Sequence, residues 1–452
     1  MATIGGHAVV LGAGMGGLLA ARVLADAYRR VTVVERDRLP AAPEQRRGVP
    51  QGAHGHTLLP GGTAVLGALF EGLGEELEAA GVPVVDTGCD LHFNLGGHVL
   101  YQQDAPERPL ITHVPSRPLL EWRVRQRVHQ LPNVSLLDDC PVAGPVTDGG
   151  AVSGVRLASG ERLDAELVVD ATGRGSRTPA WLEQLGYPRP VEQQVKVGVS
   201  YVTRLVRILP PRPEKLVLVG ALPDRPYGLG LFHHENEAWE FTVFGVNGVQ
   251  PPTGLDEMVD TMAPVLPPEL AEALRGSEPL ADPARHRFPA SRWRRYDKLR
   301  RHPEGLIAFG DAVASFNPTY GQGMTVAAQQ AIALAGCLRD GPRGLPKRFH
   351  RGAATPVRHA WRLGALADYP LVGAAVGPMP LRDRFAAASI GTMYRAAEVD
   401  PVVSERFLRV IALVDPPNAL LSPAALLRVG LVSRRRGAGR PRPAARPVRA
   451  AS

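Results

Sequence analysis

The stretch Gly12-Ala13-Gly14-Met15-Gly16-Gly17 constrains this chain more than any other. It lies between the apolar strand-like run His7-Ala8-Val9-Val10-Leu11 and a helical pattern reaching about Ala27, and a second strand follows at Val31-Thr32-Val33-Val34. That order is a βαβ unit carrying Gly-x-Gly-x-x-Gly at its first turn. Gly12 permits the tight turn, Gly14 lets backbone approach a pyrophosphate at the positive end of the helix, and Gly17 allows close helix-to-sheet packing. Glu35 ends the second strand about 20 residues on, where a carboxylate accepts from ribose hydroxyls, with Arg36 beside it. The plainer reading, a glycine-rich turn with a solvated acid, does not account for that spacing. The motif leaves FAD and NAD open, because both present the same adenosine diphosphate half.

A second constellation separates them. Gly310-Asp311 follows the apolar run Leu306-Ile307-Ala308-Phe309, and Asn317-Pro318-Thr319-Tyr320-Gly321-Gln322-Gly323-Met324 comes soon after. A carboxylate at a strand end suits the hydroxyls of a ribityl chain, and a glycine-lined helix start can stabilise negative charge on a reduced isoalloxazine. NAD has neither group. A simple cap and turn is the structural alternative.

Bulk properties set the frame. With 452 residues, 44% of them hydrophobic and 21% charged, the chain can form two or three packed units around a large core. The formal charge of +8 is concentrated in an arginine-rich end, Arg434-Arg435-Arg436 followed by Arg440, Arg442, Arg446 and Arg449. We read that end as a disordered basic tail, whose removal leaves the body near neutrality. No nucleic-acid-binding module is recognisable, and attraction to an anionic membrane surface is the other reading of the tail. Cys89, Cys140 and Cys337 are widely spaced, which fits a reducing compartment without a disulfide or zinc framework. With neither a secretory leader nor a transmembrane run in view, the expected location is cytoplasmic.

Along the chain, apolar residues at helical spacing run to about Ala80, and an amphipathic helix over Pro118 to Gln130 is opened by Ser116. A hairpin-like pair around Ala158-Ser159-Gly160-Glu161 leads into the buried strand Leu167-Val168-Val169. From Val195 to Phe244 alternating runs predict a sheet of different character. The expected fold is α/β, a Rossmann-like FAD-binding domain interleaved with a β-sheet substrate domain, plus C-terminal helices. The expected divisions are 1–85, 111–190 and 286–345 for FAD binding, 86–110 and 191–285 for the substrate sheet, 346–432 for the helical region, and 433–452 for the tail.

These motifs, together with Arg46-Arg47-Gly48-Val49-Pro50-Gln51-Gly52-Ala53-His54-Gly55-His56 and Asp170-Ala171-Thr172-Gly173-Arg174-Gly175-Ser176, resemble the flavoprotein monooxygenases of the p-hydroxybenzoate hydroxylase type. The likeness spans about residues 5 to 350 and is greatest to the flavin-dependent olefin epoxidases of polyether biosynthesis. It implies that Arg46 and Arg117 hold the FAD phosphates or nearby backbone, that Asp311 meets the ribityl chain, and that Gly321 to Met324 lie beside the isoalloxazine. The cofactor-binding set is therefore Gly12, Gly14, Met15, Gly16, Gly17, Glu35, Arg36, Arg46, His54, Arg117, Thr172, Gly173, Gly310, Asp311, Pro318, Gly321, Gln322, Gly323 and Met324. His54 and His56 share a side of an extended segment, but no third ligand accompanies them, so no metal is expected.

Many aromatic hydroxylases of this type carry Asp-Gly where this chain has Thr172-Gly173. That departure leaves direct reduction by NADPH or NADH open beside electron supply from a separate flavin reductase. A halogenase reading loses ground, since no Trp-x-Trp-x-Ile-Pro segment occurs and the first lysine is Lys196. The resemblance implies a catalyst without catalytic side chains. It further implies that reduced FAD would react with dioxygen to give a flavin 4a-hydroperoxide, whose distal oxygen would pass to an apolar olefinic or aromatic small molecule, as epoxidation or hydroxylation. Phe232, Trp239, Phe241 and Phe244 are candidates to line the substrate wall or fill core. A reductase or dehydrogenase of an isoprenoid or polyene chain would use the same cofactor residues without oxygen.

Overall fold

The structure is a computed structural model that describes residues 3–103, 106–373 and 381–437. At its centre five parallel strands take the spatial order Leu306–Ala308, Leu167–Asp170, Gly5–Leu11, Tyr28–Val34, Val134–Leu137. Alternation along the strands assigns two faces. Ala8, Val10, Val31, Val33, Leu167, Val169 and Ile307 pack beneath the helices Met15–Ala25, Arg117–His129 and Gln322–Arg339. Val9, Leu11, Val34, Val168 and Leu306 face a small antiparallel sheet of Val142–Asp148, Ala151–Leu157 and Arg162–Asp164. Segments far apart in sequence thus complete one α/β layer, since the strand at Leu306 joins the sheet only after the second sheet has been built.

That second sheet has eight strands and centres on Val199–Arg207, Ala238–Gly245, Tyr227–His233 and Leu216–Val219. The early strand Leu91–Leu95 pairs with Leu216–Val219 in parallel and ties residues 86–110 to the second sheet. One face is closed by the amphipathic helices Leu255–Met262 and Pro268–Arg275, whose Met258, Val259, Met262, Leu270 and Leu274 are fully buried. The other face looks toward the five-stranded unit.

Several expectations need correction. The helical stretch to Ala80 is two helices, Pro60–Leu69 and Leu73–Ala79, because Gly72 at φ 80° reverses the chain between them. Trp239 and Phe241 do not line the substrate wall. They point with Val243 into the core against the two helices, while Glu240, Thr242 and Phe244 take the opposite face of the same strand. The period-2 pattern was right, but a sheet covered by helices on one side hides its apolar set on that side. The last helix, Pro423–Gly437, includes Arg434, Arg435 and Arg436, so the basic end starts as helix; residues 438–452 of the expected tail lie outside the described residues.

Candidate functional site

Between the two sheets runs one cavity of about 1100 Å³. At one end the first turn forms its wall. Gly12 adopts φ 96° and its amide donates to Val34 O at 2.8 Å; a Cβ on Gly17 would stand 1.8 Å from Gly12 O. The turn therefore closes only with glycine at both places. Gly14 caps the helix Met15–Ala25 without any side-chain acceptor, and Gly14, Met15 and Gly16 line the cavity. The free amides of that helix end give a local positive potential.

Glu35 sits beside the turn, its carboxylate accepting from Ala13 N at 2.8 Å and paired with Arg46 at 3.2 Å. Arg46 also binds Glu121 at 2.6 Å, and Glu121 holds Arg117 at 2.7 Å, with all four side chains buried. Burial opposes the charge of Arg46, but Glu121 and Glu35 outweigh it and raise the pKa of its guanidinium. For Arg117 burial prevails, and its pKa is lowered. Arg117 reaches across the cavity to Met324 Sδ at 2.8 Å, joining the helix Arg117–His129 to the start of Gln322–Arg339. Arg36 lies at the rim, largely exposed. Sequence reasoning missed Glu121; its signal was the i,i+4 spacing from Arg117.

The second end is built from the strand Leu306–Ala308. Gly310 turns at φ 61°, its amide bound by Gln330 Oε1 at 2.9 Å, and Asp311 then faces the cavity. Among the described residues its carboxylate has no hydrogen-bond or ion-pair partner, and burial holds it above the usual carboxylate range against the pull of Arg174, Arg117 and Arg294. Gly173 and Gly323 pack beside it: a Cβ on either would come within 3.9 Å and 3.8 Å of Asp311. Pro318 begins a short turn that ends at Gly321, φ 63°, the uncapped start of the 18-residue helix Gln322–Arg339. Gln322 Oε1 is buried with no partner. An enclosed acceptor, an orphaned amide oxygen and two uncapped helix starts at opposite ends fit an elongated, polyhydroxylated dinucleotide such as FAD.

Thr172 donates through N and Oγ1 to Asp170 at 3.0 and 2.5 Å, and Ser176 and Thr178 complete that carboxylate's shell. Asp170 is fully buried and organises the loop; the hydroxyl of Thr172 is committed to it. His54 lines the cavity, but its hydrogen bond goes to Thr203 in the second sheet at 2.9 Å and its ring stands edge-on to Tyr201. Burial, reinforced by His286 and His56, depresses its pKa to about 4. Among the described residues no group of three or more His, Cys, Asp or Glu could hold a metal ion.

The remaining walls are apolar. Phe232 and Phe244 project from the second sheet, and the C-terminal helices supply Ile390, Met393, Tyr394, Phe407 and Leu408. That contribution carried no sequence signal beyond ordinary helical periodicity. Tyr320, also in the wall, donates to Asp368 at 2.7 Å, and Asn317 Nδ2 donates to the same oxygen at 2.8 Å. This network fastens the helix Leu345–Val372 to the turn at Gly321. Burial pushes Asp368 up to about 6. A carboxyl whose folded pKa is raised favours folding most when protonated, and that contribution fades as pH rises through about 6. Asp368→Asn should therefore gain about 1 kcal/mol relative to the parent between pH 5 and pH 7, read from urea unfolding at both pH values.

The arrangement of the two interleaved sheets has counterparts among solved structures. The flavin-dependent brominase Bmp2 superposes with a TM-score of 0.66 at 16% identity, covering 95% of this chain and all of that one. The chain belongs to the family of Protein Rv3254 of Mycobacterium tuberculosis (strain ATCC 25618 / H37Rv), being 42% identical to it over 426 residues, 90% of each. It is also 29% identical over 366 residues to the 6-methylpretetramide 4-monooxygenase of Streptomyces rimosus, covering 75% of this chain and 77% of that one. No family model matches the chain.

Proposed function

We propose that this protein is an FAD-dependent monooxygenase that transfers one atom of dioxygen to an apolar olefinic or aromatic small molecule, as epoxidation or hydroxylation. The observation that carries this reading is the single cavity joining two glycine-lined helix starts to an apolar chamber. Gly12 to Gly17 and Arg46 would hold the pyrophosphate, Glu35 the adenosine ribose, Asp311 the ribityl hydroxyls, and the amides from Gly321 to Met324 the isoalloxazine edge. Bound reduced flavin supplies the activation of dioxygen. The chain's own part is to place the substrate and to keep water out, and the apolar Phe232, Phe244 and C-terminal helices that line the cavity suit both tasks. An olefin needs no acid–base pair. With Thr172 committed to Asp170, no carboxylic acid stands at its position, and NADPH or NADH supplies electrons either directly or through a separate reductase.

The relative from Streptomyces rimosus, a monooxygenase by name, supports the same reading. The test supplies the full chain with FAD, a reducing system and labelled dioxygen against a panel of olefinic and aromatic polyketides and terpenoids. One label per product molecule is expected; product formation without oxygen would replace the reading with a reductase. Asp311→Ala should weaken FAD binding by about 10- to 100-fold, measured by quenching of flavin fluorescence, since a buried hydrogen-bond acceptor is removed.

A further inference from the structure

The cavity lining reaches the surface around the last helix, where four large apolar side chains are exposed. Leu421, Leu426, Leu427 and Leu431 are between 48% and 67% exposed, and Leu421 and Leu426 line the cavity as well. In the helix Pro423–Gly437, Ala425 and Val429 turn inward while Leu427 and Leu431, four residues apart, share the outer face, which Arg434 continues one turn further. Arg428 is already paired with Asp400 at 2.9 Å and adds no free charge. From Arg434 to the end the sequence carries seven arginines and no acidic residue. No described helix is long and apolar enough to cross a membrane.

We infer that this face docks on an anionic lipid surface, with the leucines entering the headgroup boundary and the arginines drawn to acidic lipid. An amphipathic helix with exposed leucines and a basic end gains from both terms, and neither alone holds a protein stably at a bilayer. The occupant is a membrane because the helix that carries the apolar face holds no acidic residue and has three consecutive arginines in its last turn, as a flat anionic layer demands. Docking would place the cavity mouth against the bilayer, so that an apolar substrate passes from lipid to cavity without crossing water; this last step rests on the function proposed above.

The test is sedimentation of the full-length protein with vesicles of phosphatidylcholine alone or mixed with phosphatidylglycerol. Binding to the anionic vesicles should exceed binding to the neutral ones by at least about tenfold and fall sharply in about 0.5 M salt. Replacing both outer leucines, Leu427→Ser with Leu431→Ser, should reduce binding at least about fivefold with the thermal midpoint unchanged. Equal binding to both vesicles, no binding at all, or a leucine variant that binds as the parent does would overturn the inference. So would a dimer that this variant dissociates without any lipid binding, since a second copy would then cover the face. The readout involves neither flavin nor turnover, so its failure leaves the proposed activity standing.

Discussion

Gly17→Ala is expected to yield a protein that neither retains flavin nor keeps its parent stability, losing about 3 kcal/mol in urea unfolding. The added Cβ would stand 1.8 Å from Gly12 O and 2.9 Å from its carbonyl carbon, so the clash is with backbone and no side chain can swing aside. Relief requires the helix Met15–Ala25 to lift from the sheet. That helix is almost entirely buried and packs against Gln322–Arg339, so the shift would spread to the second helix start as well. Gly14→Ala is the control: its Cβ would meet nothing nearer than Arg46 Nη2 at 3.7 Å, so stability should hold while any loss falls on flavin affinity alone. Parent-like stability in the Gly17 variant would show that the turn is looser than its geometry indicates.

Glu121→Gln should be at least as damaging, about 3–5 kcal/mol in the flavin-free protein. Glu121 answers two buried guanidiniums at once, and the isosteric amide leaves Arg117 with no carboxylate partner and Arg46 with Glu35 and the more distant Asp37. The loss should shrink when FAD is present in excess, because a bound pyrophosphate restores negative charge beside Arg46 and binding adds its own linkage. Urea unfolding with and without FAD reads both effects. An equal loss in the two conditions would separate this cluster from the cofactor.

The residues that were legible in advance are those for which local chemistry leaves little choice. A strand, a Gly-x-Gly-x-x-Gly turn, a helix and an acid at the next strand end define a first turn from sequence alone, and Gly310-Asp311 gave the second end in the same way. Ser116 was read as a cap and does accept from Leu119 N. What could not be read depends on which side of a sheet gets covered. The alternation of Trp239, Phe241 and Phe244 is visible in sequence, yet the helices Leu255–Met262 and Pro268–Arg275 decide that the first two belong to the core. The strand Val142–Asp148 hides behind Gly144 and Pro145, which it tolerates because it lies at a sheet edge and its register is irregular. Asp368 and Tyr320 are 48 residues apart in sequence and meet only through tertiary packing.

The central claim is that the two distant glycine-lined turns close around one flavin, and its most direct test is a titration of the purified flavin-free chain with FAD followed by visible absorption and fluorescence. One equivalent should bind, with the yellow absorption retained through gel filtration and lost in Gly17→Ala. A chain that remains colourless, or that takes up FAD no differently once Gly17 is replaced, would contradict it.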